Sequence, residues 1–108
     1  MQRGDLVTVA LSGDYGKPRP ALVIQSDHVP ETDSVLVCLV STATRAAPHF
    51  RFPLPANEET GLAQPSQVMV DKTMTVRRER CGKRIGKVNR SSMLALNRLL
   101  AFVVGITD

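Results

Sequence analysis

One arginine of this sequence lies in a stiff setting. Pro18 and Pro20 flank Arg19, and the fixed torsion of proline, together with its restriction on the preceding residue, keeps such a stretch extended. A guanidinium presents five donors in a rigid fork that matches the oxygens of a phosphate. Arg19 is therefore either a phosphate-binding group or a surface arginine that solubilises a strand end, and these residues alone favour the surface role.

A cluster of hydroxyl side chains forms the second candidate. Ser41, Thr42 and Thr44 follow a continuous apolar run at 35–40. Side chains at a strand end lie at the rim of a small barrel, where hydroxyls can donate to phosphate oxygens or orient a reacting group. Ordinary turn residues have the same composition, and by composition alone that is the stronger interpretation.

Other chemistries find no support in the residue pattern. We find no phosphate-binding glycine loop, serine-hydrolase elbow, zinc signature or paired-carboxylate motif. Cys38 and Cys81 are too few for a disulfide framework and lack the paired spacing of a zinc site. His28 and His49 have no matching ligand pair nearby. The sequence therefore predicts no metal ion and no cofactor.

Positive charge is concentrated in one part of the chain. Residues 71–90 contain eight basic and two acidic residues, a net charge of +6, whereas the rest of the chain sums to −2. A segment of this kind suits a polyanion or an acidic protein as partner, and it equally suits a solvated face.

The length and composition predict one domain. The chain has 108 residues, of which 43% are apolar and 22% charged, so that it can bury a core and is too short to divide into two. We therefore expect a single domain over residues 1–108. No apolar run approaches the roughly 20 residues of a membrane span, and the first residues lack the pattern of a signal peptide, which favours the cytoplasm.

Several short strands must position the candidate residues. Residues 49–52 alternate strictly and predict a half-buried strand with Phe50 and Phe52 inward, ended by Pro53 and Pro55. The basic stretch predicts a surface turn and an edge strand. Further strands are predicted at 5–11, from Ala21 on, at 35–40 and at 67–70.

Only the C-terminal part of the chain is typical of a helix. Ser91 or Ser92 can cap a run from Met93 to Val104, and Gly105 is placed to end it. Because almost all positions of this run are apolar, more than one face of the helix must be covered. The sheet covers one face, and a second subunit is a candidate to cover another. Short strands followed by one helix predict a mainly β fold with a C-terminal α-helix, in the form of a small, partly closed β-barrel.

The order of these features resembles one protein family. The opening at 3–7 (RGDLV) and the segment at 16–24 (GKPRPALVI) are similar to the start and the second strand of MazF/PemK-type toxins of type II toxin–antitoxin systems. The run that ends in Ser41 and Thr42 resembles the family's third strand, and residues 60–72 resemble the segment that leads into its glutamine-bearing strand. No single motif is diagnostic, but their order and spacing together are specific and cover nearly the whole chain.

The resemblance implies an SH3-like barrel, of the kind shared with CcdB, that forms a homodimer and cuts single-stranded RNA without a metal. In this class the ribose 2′-hydroxyl attacks the adjacent phosphorus and leaves a cyclic phosphate and a 5′-hydroxyl. Arg19 matches the family's catalytic arginine, which neutralises the phosphorane oxygens and is also a candidate to move a proton. The family's catalytic threonine falls on Ser41 in one alignment and on Val40 in another, so that Ser41 is the first choice and Thr42 the second.

The same resemblance implies which groups bind RNA. The carboxylate that some relatives carry before the glutamine is absent, since Gln64 and Ser66 stand before Gln67, so no acid/base role carries over there. Much of the affinity must come from phosphate contacts, and Tyr15 is the one aromatic expected near RNA. The expected substrate-binding residues are Lys17, Tyr15, Arg45, Gln64, Ser66 and Gln67. The expected protein partner is an acidic antitoxin with a disordered segment.

Two alternatives remain open on sequence grounds. A CcdB-like toxin shares the barrel but inhibits DNA gyrase without catalysis; Arg19 between two prolines argues against it, and the missing carboxylate near Ser66 argues weakly for it. A catalytically inactive RNA-binding barrel is the other alternative, because Val40 can occupy the threonine position. The ribonuclease hypothesis requires Arg19 to lie close enough to a hydroxyl at the barrel mouth for both to hold one phosphodiester.

Overall fold

The chain forms a mainly β structure that ends in one α-helix. The computed structural model describes residues 1–11 and 17–107. Within them the strands are β1 (Asp5–Val9), β2 (Arg19–Val23), β3 (Ser34–Ser41), β4 (Arg51–Leu54), β5 (Ser66–Arg77) and β6 (Cys81–Lys87). A short 3₁₀ helix at Arg78–Arg80 joins β5 to β6, and the helix α1 covers Arg90–Val103.

The six strands form one antiparallel sheet in the order β4-β5-β3-β2-β1-β6. In the described part of the chain no ladder joins the edge strands β4 and β6, so the sheet is open and the predicted partial closure of a barrel is not achieved by backbone pairing. The register of β3 against β5 shifts between Cys38 and Val40. A shift of this kind bends a strand, and it lets β5 pair with β3 along most of its length and with β4 at its start.

Apolar side chains cover both faces of this sheet. On one face Leu6, Leu22 and Val68 pack with Met93 and Leu96 of α1. The opposite face carries a second cluster of mostly β-branched residues, Val7, Val9, Ala21, Val23, Val35, Val37 and Val76. This two-sided burial explains why the run at 35–40 is continuously apolar instead of alternating.

Several predicted boundaries were wrong, among them the end of β1, which is Val9 rather than Leu11. β2 begins at Arg19 rather than at Ala21, and β5 runs for 12 residues to Arg77 rather than ending at Val70. The cap of α1 is Asn89, whose side chain accepts a hydrogen bond from the backbone N–H of Ser92, instead of Ser91 or Ser92. Asparagine and serine cap helices about equally well, so the choice between them depends on where the sheet releases the chain.

The strand β4 departs most from its prediction. Arg51 is buried, and Phe50 and Phe52 are only half-buried, so the assignment of the phenylalanines as the inward set was wrong. Pro53 lies within the strand instead of ending it. A proline is tolerated there because β4 is an edge strand and needs fewer backbone donors.

The helix α1 is covered on one side only. Met93 and Leu96 are buried against the sheet, whereas Leu94, Phe102 and Val104 remain exposed. The sequence-based expectation that a second subunit covers another face stays a prediction. No helix in residues 1–11 or 17–107 is long and apolar enough to cross a membrane.

Cys38 is a core residue rather than a chemical group of the surface. It lies fully buried in β3, and desolvation by this burial raises the pKa of its thiol to about 12. Burial also raises the pKa of the half-buried Cys81 thiol. Because the thiolate is the reactive form, neither cysteine is activated as a nucleophile.

The turn before β5 docks closely on β6. The Thr60 hydroxyl donates to the carbonyl oxygen of Pro55 at 2.7 Å, and the Lys87 N–H donates to the carbonyl oxygen of Glu59 at 2.9 Å. Gly61 has a positive φ of +67°, and a Cβ at this residue would lie 1.8 Å from the carbonyl oxygen of Ile85. Glycine is therefore needed here both for its backbone conformation and for the close approach.

A pair of glycine substitutions separates these two needs. Gly105 also has a positive φ, +82°, but has open space around it. We expect Gly105→Ala to lower the free energy of unfolding by about 1 kcal/mol through backbone strain alone, and Gly61→Ala by about 2–4 kcal/mol because the steric conflict adds to it. Urea unfolding of both variants measures the difference. Equal losses would contradict the close docking of the turn on β6.

Candidate active site

Strand register brings the two candidate groups of the sequence to one end of the sheet. The last pair between β2 and β3 joins Ala21 to Leu39, and Arg19 and Ser41 each lie two residues beyond this pair, at the same end of the sheet. Ser41 in turn pairs with Gln67 of β5. Residues that pair across strands present their side chains on the same face. Arg19, Ser41 and Gln67 therefore form one row across three neighbouring strands.

A cavity of about 180 Å³ opens at this row. Arg19, Ser41 and Thr42 line it, and so do four less polar residues, Pro20, Leu39, Val40 and Met69. Among the described residues of the lining, Arg19 is the one that carries a charge. A guanidinium and two hydroxyls above apolar walls make a site that favours an anion, since apolar surroundings strengthen electrostatic interactions.

The backbone after β3 fixes the direction of the Ser41 hydroxyl. Ser41 Oγ accepts a hydrogen bond from the Ala43 N–H at 3.0 Å, and a hydroxyl that accepts in this way keeps its own proton available for donation. Thr42 is exposed and Ser41 is half-buried. The site therefore offers one hydroxyl that is held by the backbone and one at the cavity mouth.

A glutamine side chain holds the segment that follows these hydroxyls. The Arg45 N–H donates to Gln67 Oε1 at 2.9 Å, and Gln67 Nε2 donates to the Arg45 carbonyl oxygen at 2.9 Å. One amide thus satisfies the backbone donor and the backbone acceptor of the same residue. The backbone also folds on itself here, since the Ala47 carbonyl accepts from the N–H groups of Phe50 and Arg51.

Arg51 supports the same segment from below. Its Nη1 donates to the Ala43 carbonyl oxygen at 3.1 Å and lies 3.4 Å from Gln67 Oε1. Its side chain is 7% exposed, and its Nε is buried without a hydrogen-bond partner. Register places Arg51 opposite Met69, on the face that carries Gln67. A buried cation therefore lies beneath the segment from residue 43 to residue 47.

Comparison with known proteins gives this site a family. Residues 2–104 match the sequence profile of the PemK-like, MazF-like toxins of type II toxin–antitoxin systems. The chain belongs to this toxin family. It is 39% identical over 107 residues to a probable endoribonuclease MazF of Mycolicibacterium smegmatis, with 98% of each chain covered.

Solved structures agree with the fold of a MazF-like toxin. The toxin MazF-mt6 of Mycobacterium tuberculosis superimposes with a TM-score of 0.80 at 27% identity, over 94% of this chain and 96% of that one. An endoribonuclease in complex with its cognate antitoxin, from a mycobacterial species, gives a TM-score of 0.82 at 21% identity, over 100% of this chain and 98% of that one. At 21% identity the second comparison shows a common fold only. The family match and the relation to a probable endoribonuclease MazF favour the MazF-like hypothesis of the sequence analysis over the CcdB-like alternative.

The remaining sequence-predicted residues of this MazF-like toxin fall into different positions. Lys17, Arg45 and Gln64 are exposed. Ser66 is 3% exposed, and its hydroxyl donates to the Gln64 carbonyl oxygen at 2.8 Å in the turn before β5; its role in substrate binding stays a prediction. Tyr15 lies outside the described residues.

Sequence reasoning missed Arg51 altogether. The alternation at 49–52 offered two inward sets, and hydropathy selected the phenylalanines because a buried arginine is rare. The observed strand buries Arg51 under the segment that follows β3 and turns Phe52 toward the helix-side core. Nothing local in the sequence marks that segment as a cover. Gln67 was found, but as a substrate-binding residue, whereas both ends of its amide are occupied by backbone groups of Arg45.

Two glutamine substitutions test whether Gln67 holds the segment that follows Ser41 and Thr42. Gln67→Ala removes both hydrogen bonds to the Arg45 backbone, so we expect the free energy of unfolding to fall by about 1–3 kcal/mol and the Arg45 amide to exchange its proton faster. Gln64→Ala is the matched control, because this side chain is exposed and should change stability by less than about 0.5 kcal/mol. Thermal unfolding and hydrogen exchange provide the two measurements. An unchanged exchange rate at Arg45 in Gln67→Ala would contradict the role of the amide.

Proposed function

We propose that this MazF-like toxin is a metal-independent, sequence-selective endoribonuclease that cleaves single-stranded RNA. The observation that carries the proposal is the shared cavity of Arg19, Ser41 and Thr42. The relation to a probable endoribonuclease MazF at 39% identity supports it. Under this proposal Arg19 is the catalytic arginine, Ser41 is the first catalytic hydroxyl and Thr42 the second.

The proposed reaction uses a nucleophile that the substrate supplies. The ribose 2′-oxygen bonds to the adjacent phosphorus, its proton leaves, and the bond from phosphorus to the 5′-oxygen breaks as that oxygen takes up a proton. The products are a cyclic phosphate and a 5′-hydroxyl. Because the nucleophile lies within the substrate, the protein needs only to orient it, stabilise charge and assist proton transfer.

Charge stabilisation falls to the residues of the cavity. The phosphorus gains a fifth oxygen in the transition state, and negative charge builds up on the oxygens that do not react. Arg19 supplies a permanent positive charge toward them, since an arginine stays protonated in proteins. The Ser41 hydroxyl, held by the Ala43 N–H, can donate to one of the same oxygens. The apolar walls of Leu39, Val40 and Met69 strengthen both interactions by excluding water.

The remaining parts of the proposal concern partners and setting. Single strands are the proposed substrate because their bases are unpaired and their edges accessible. Lys17 and Arg45 are proposed to contact phosphates. The positive charge of residues 71–90 favours an acidic antitoxin with a disordered segment as inhibitor. The whole chain is proposed to act as one domain that pairs as a homodimer in the cytoplasm.

Cleavage in the presence of a chelator tests the function. Purified protein should cut single-stranded RNA in EDTA and leave a 5′-hydroxyl and a cyclic phosphate at each site. Arg19→Ala should lower kcat about 100-fold to 1,000-fold by removing the charge that faces the transition state. Ser41→Ala should lower it at least about tenfold through one lost hydrogen bond. Cleavage rates are measured on one RNA of known sequence.

Thr44→Ala is the matched control for the hydroxyl substitutions. Thr44 belongs to the same cluster and is exposed, but it is absent from the described lining of the cavity, so its loss should leave kcat within about twofold. Intact RNA at high protein concentration, with no antitoxin bound, would overturn the proposed function. Full activity in Arg19→Ala would overturn the assignment of the site.

A further inference from the structure

A second concave surface borders residues 45–48, which follow the hydroxyl residues of the cavity. It has a volume of about 480 Å³ and lies between residues 45–48, β4 and α1. We call it the edge groove. Its walls include Ala47, Pro48, Phe52 and Leu99, and its charged groups are the guanidiniums of Arg45, Arg51 and Arg98. A mostly apolar groove with three cations and no carboxylate among its described lining residues suits a ligand that is both apolar and anionic.

Arg51 is the group in the edge groove that most needs an anion. It is more than nine-tenths buried, and its Nε has no hydrogen-bond partner. Its two acceptors, the Ala43 carbonyl and the Gln67 amide, are neutral. The structure gives it no ion pair with a carboxylate of the described residues. A buried charge without a counter-charge is costly. An anion that binds in the groove supplies the counter-charge that Arg51 lacks.

The edge groove lies next to the catalytic cavity, across the pairing of β5 with its two neighbouring strands. Met69 lines the cavity, and its cross-strand partner Arg51 lines the groove. Ser41 likewise lines the cavity, and its partner Gln67 lines the groove. Paired strands are separated by about 5 Å, so the two depressions are neighbours. A strand of RNA with its scissile phosphate at Arg19 can therefore reach the groove with a neighbouring nucleotide.

We propose that the edge groove is a subsite for one nucleotide that flanks the scissile phosphate. The phosphate of this nucleotide is bound by the Arg98 and Arg45 guanidiniums in the field of Arg51, and its base packs against the apolar walls. This inference rests on the proposed function, since it requires RNA in the cavity. An acidic peptide has the same charge, but the position of the groove next to the cavity favours the polynucleotide proposed to occupy that cavity.

A ladder of oligonucleotides tests the subsite. Once a cleavage site is mapped, RNAs are extended from it by one nucleotide at a time on either side, with a 2′-deoxy residue at the cleaved position to block the reaction. Fluorescence anisotropy gives each Kd at several salt concentrations. For the unmodified protein we expect one added nucleotide to tighten binding about tenfold, the size of one charge-assisted contact. The logarithmic salt slope should steepen at the same step by about 0.7.

Three arginine variants locate that step. Arg98→Gln changes an exposed side chain of α1 and should abolish the gain in affinity without altering the fold. Arg51→Gln should do the same, with thermal unfolding as its check, because that side chain also supports the Ala43 carbonyl. Arg90→Gln is the matched control, an exposed arginine of the same helix that does not line the groove. Its gain in affinity should equal that of the unmodified protein.

Each outcome bears on a different proposal. A step that persists in Arg98→Gln, or no step in the unmodified protein, would overturn the subsite while leaving ribonuclease activity intact. A step lost equally in Arg90→Gln would also overturn it, since general charge would then be the cause. If RNA is bound alike by all variants but the antitoxin is bound more weakly by Arg98→Gln, the groove is a protein-binding surface and the subsite is excluded. A protein that neither binds nor cuts RNA would instead refute the proposed function.

Discussion

The register of β3 against its two neighbours is the constraint on which the candidate site depends. A slip of one residue would turn the side chain of Ser41 to the opposite face of the sheet, away from Arg19. The sheet resists such a slip because both of its faces are buried. Val35 and Val37 belong to one cluster, whereas Cys38 and Val40 belong to the other. Exchanging the two sets would mismatch two cores at once, so packing far from the site fixes which side chains meet there.

Beyond the end of β3 the chain leaves the sheet, and hydrogen bonds from side chains hold the backbone in position. The Gln67 amide is suited to this because it donates with its nitrogen and accepts with its oxygen, which are the two bonds that the Arg45 backbone needs. A glutamate of the same length would lack the donor and would repel the Arg45 carbonyl. The amide thus supplies the same donor and acceptor that a neighbouring strand would supply to this one residue. Side chains at 41 and 42 gain a defined position from a residue that takes no part in the proposed chemical step.

The parts of this structure that sequence could predict are those governed by local rules. Prolines on both sides of Arg19 indicate an extended segment, and the run at 35–40 indicates a buried strand; both are observed. The length of β5 could not be predicted, because its second half, exposed along much of its length, lacks the alternation that marks a strand. The burial of Arg51 could not be predicted either, because its cover comes from a segment that is irregular and lies elsewhere in the sequence. The local pattern therefore located the candidate catalytic side chains, whereas the residues that hold the neighbouring backbone depend on tertiary packing.

The buried charge of Arg51 is unfavourable for the stability of the free domain. Neutral acceptors satisfy the Nη1 of Arg51 but leave its charge uncompensated, which lowers the free energy of unfolding relative to an apolar residue of similar volume. A phosphate bound in the edge groove removes this penalty. Affinity for an anion and stability of the free domain are therefore coupled through Arg51: the more poorly the free protein neutralises this guanidinium, the more free energy is released when a ligand does so.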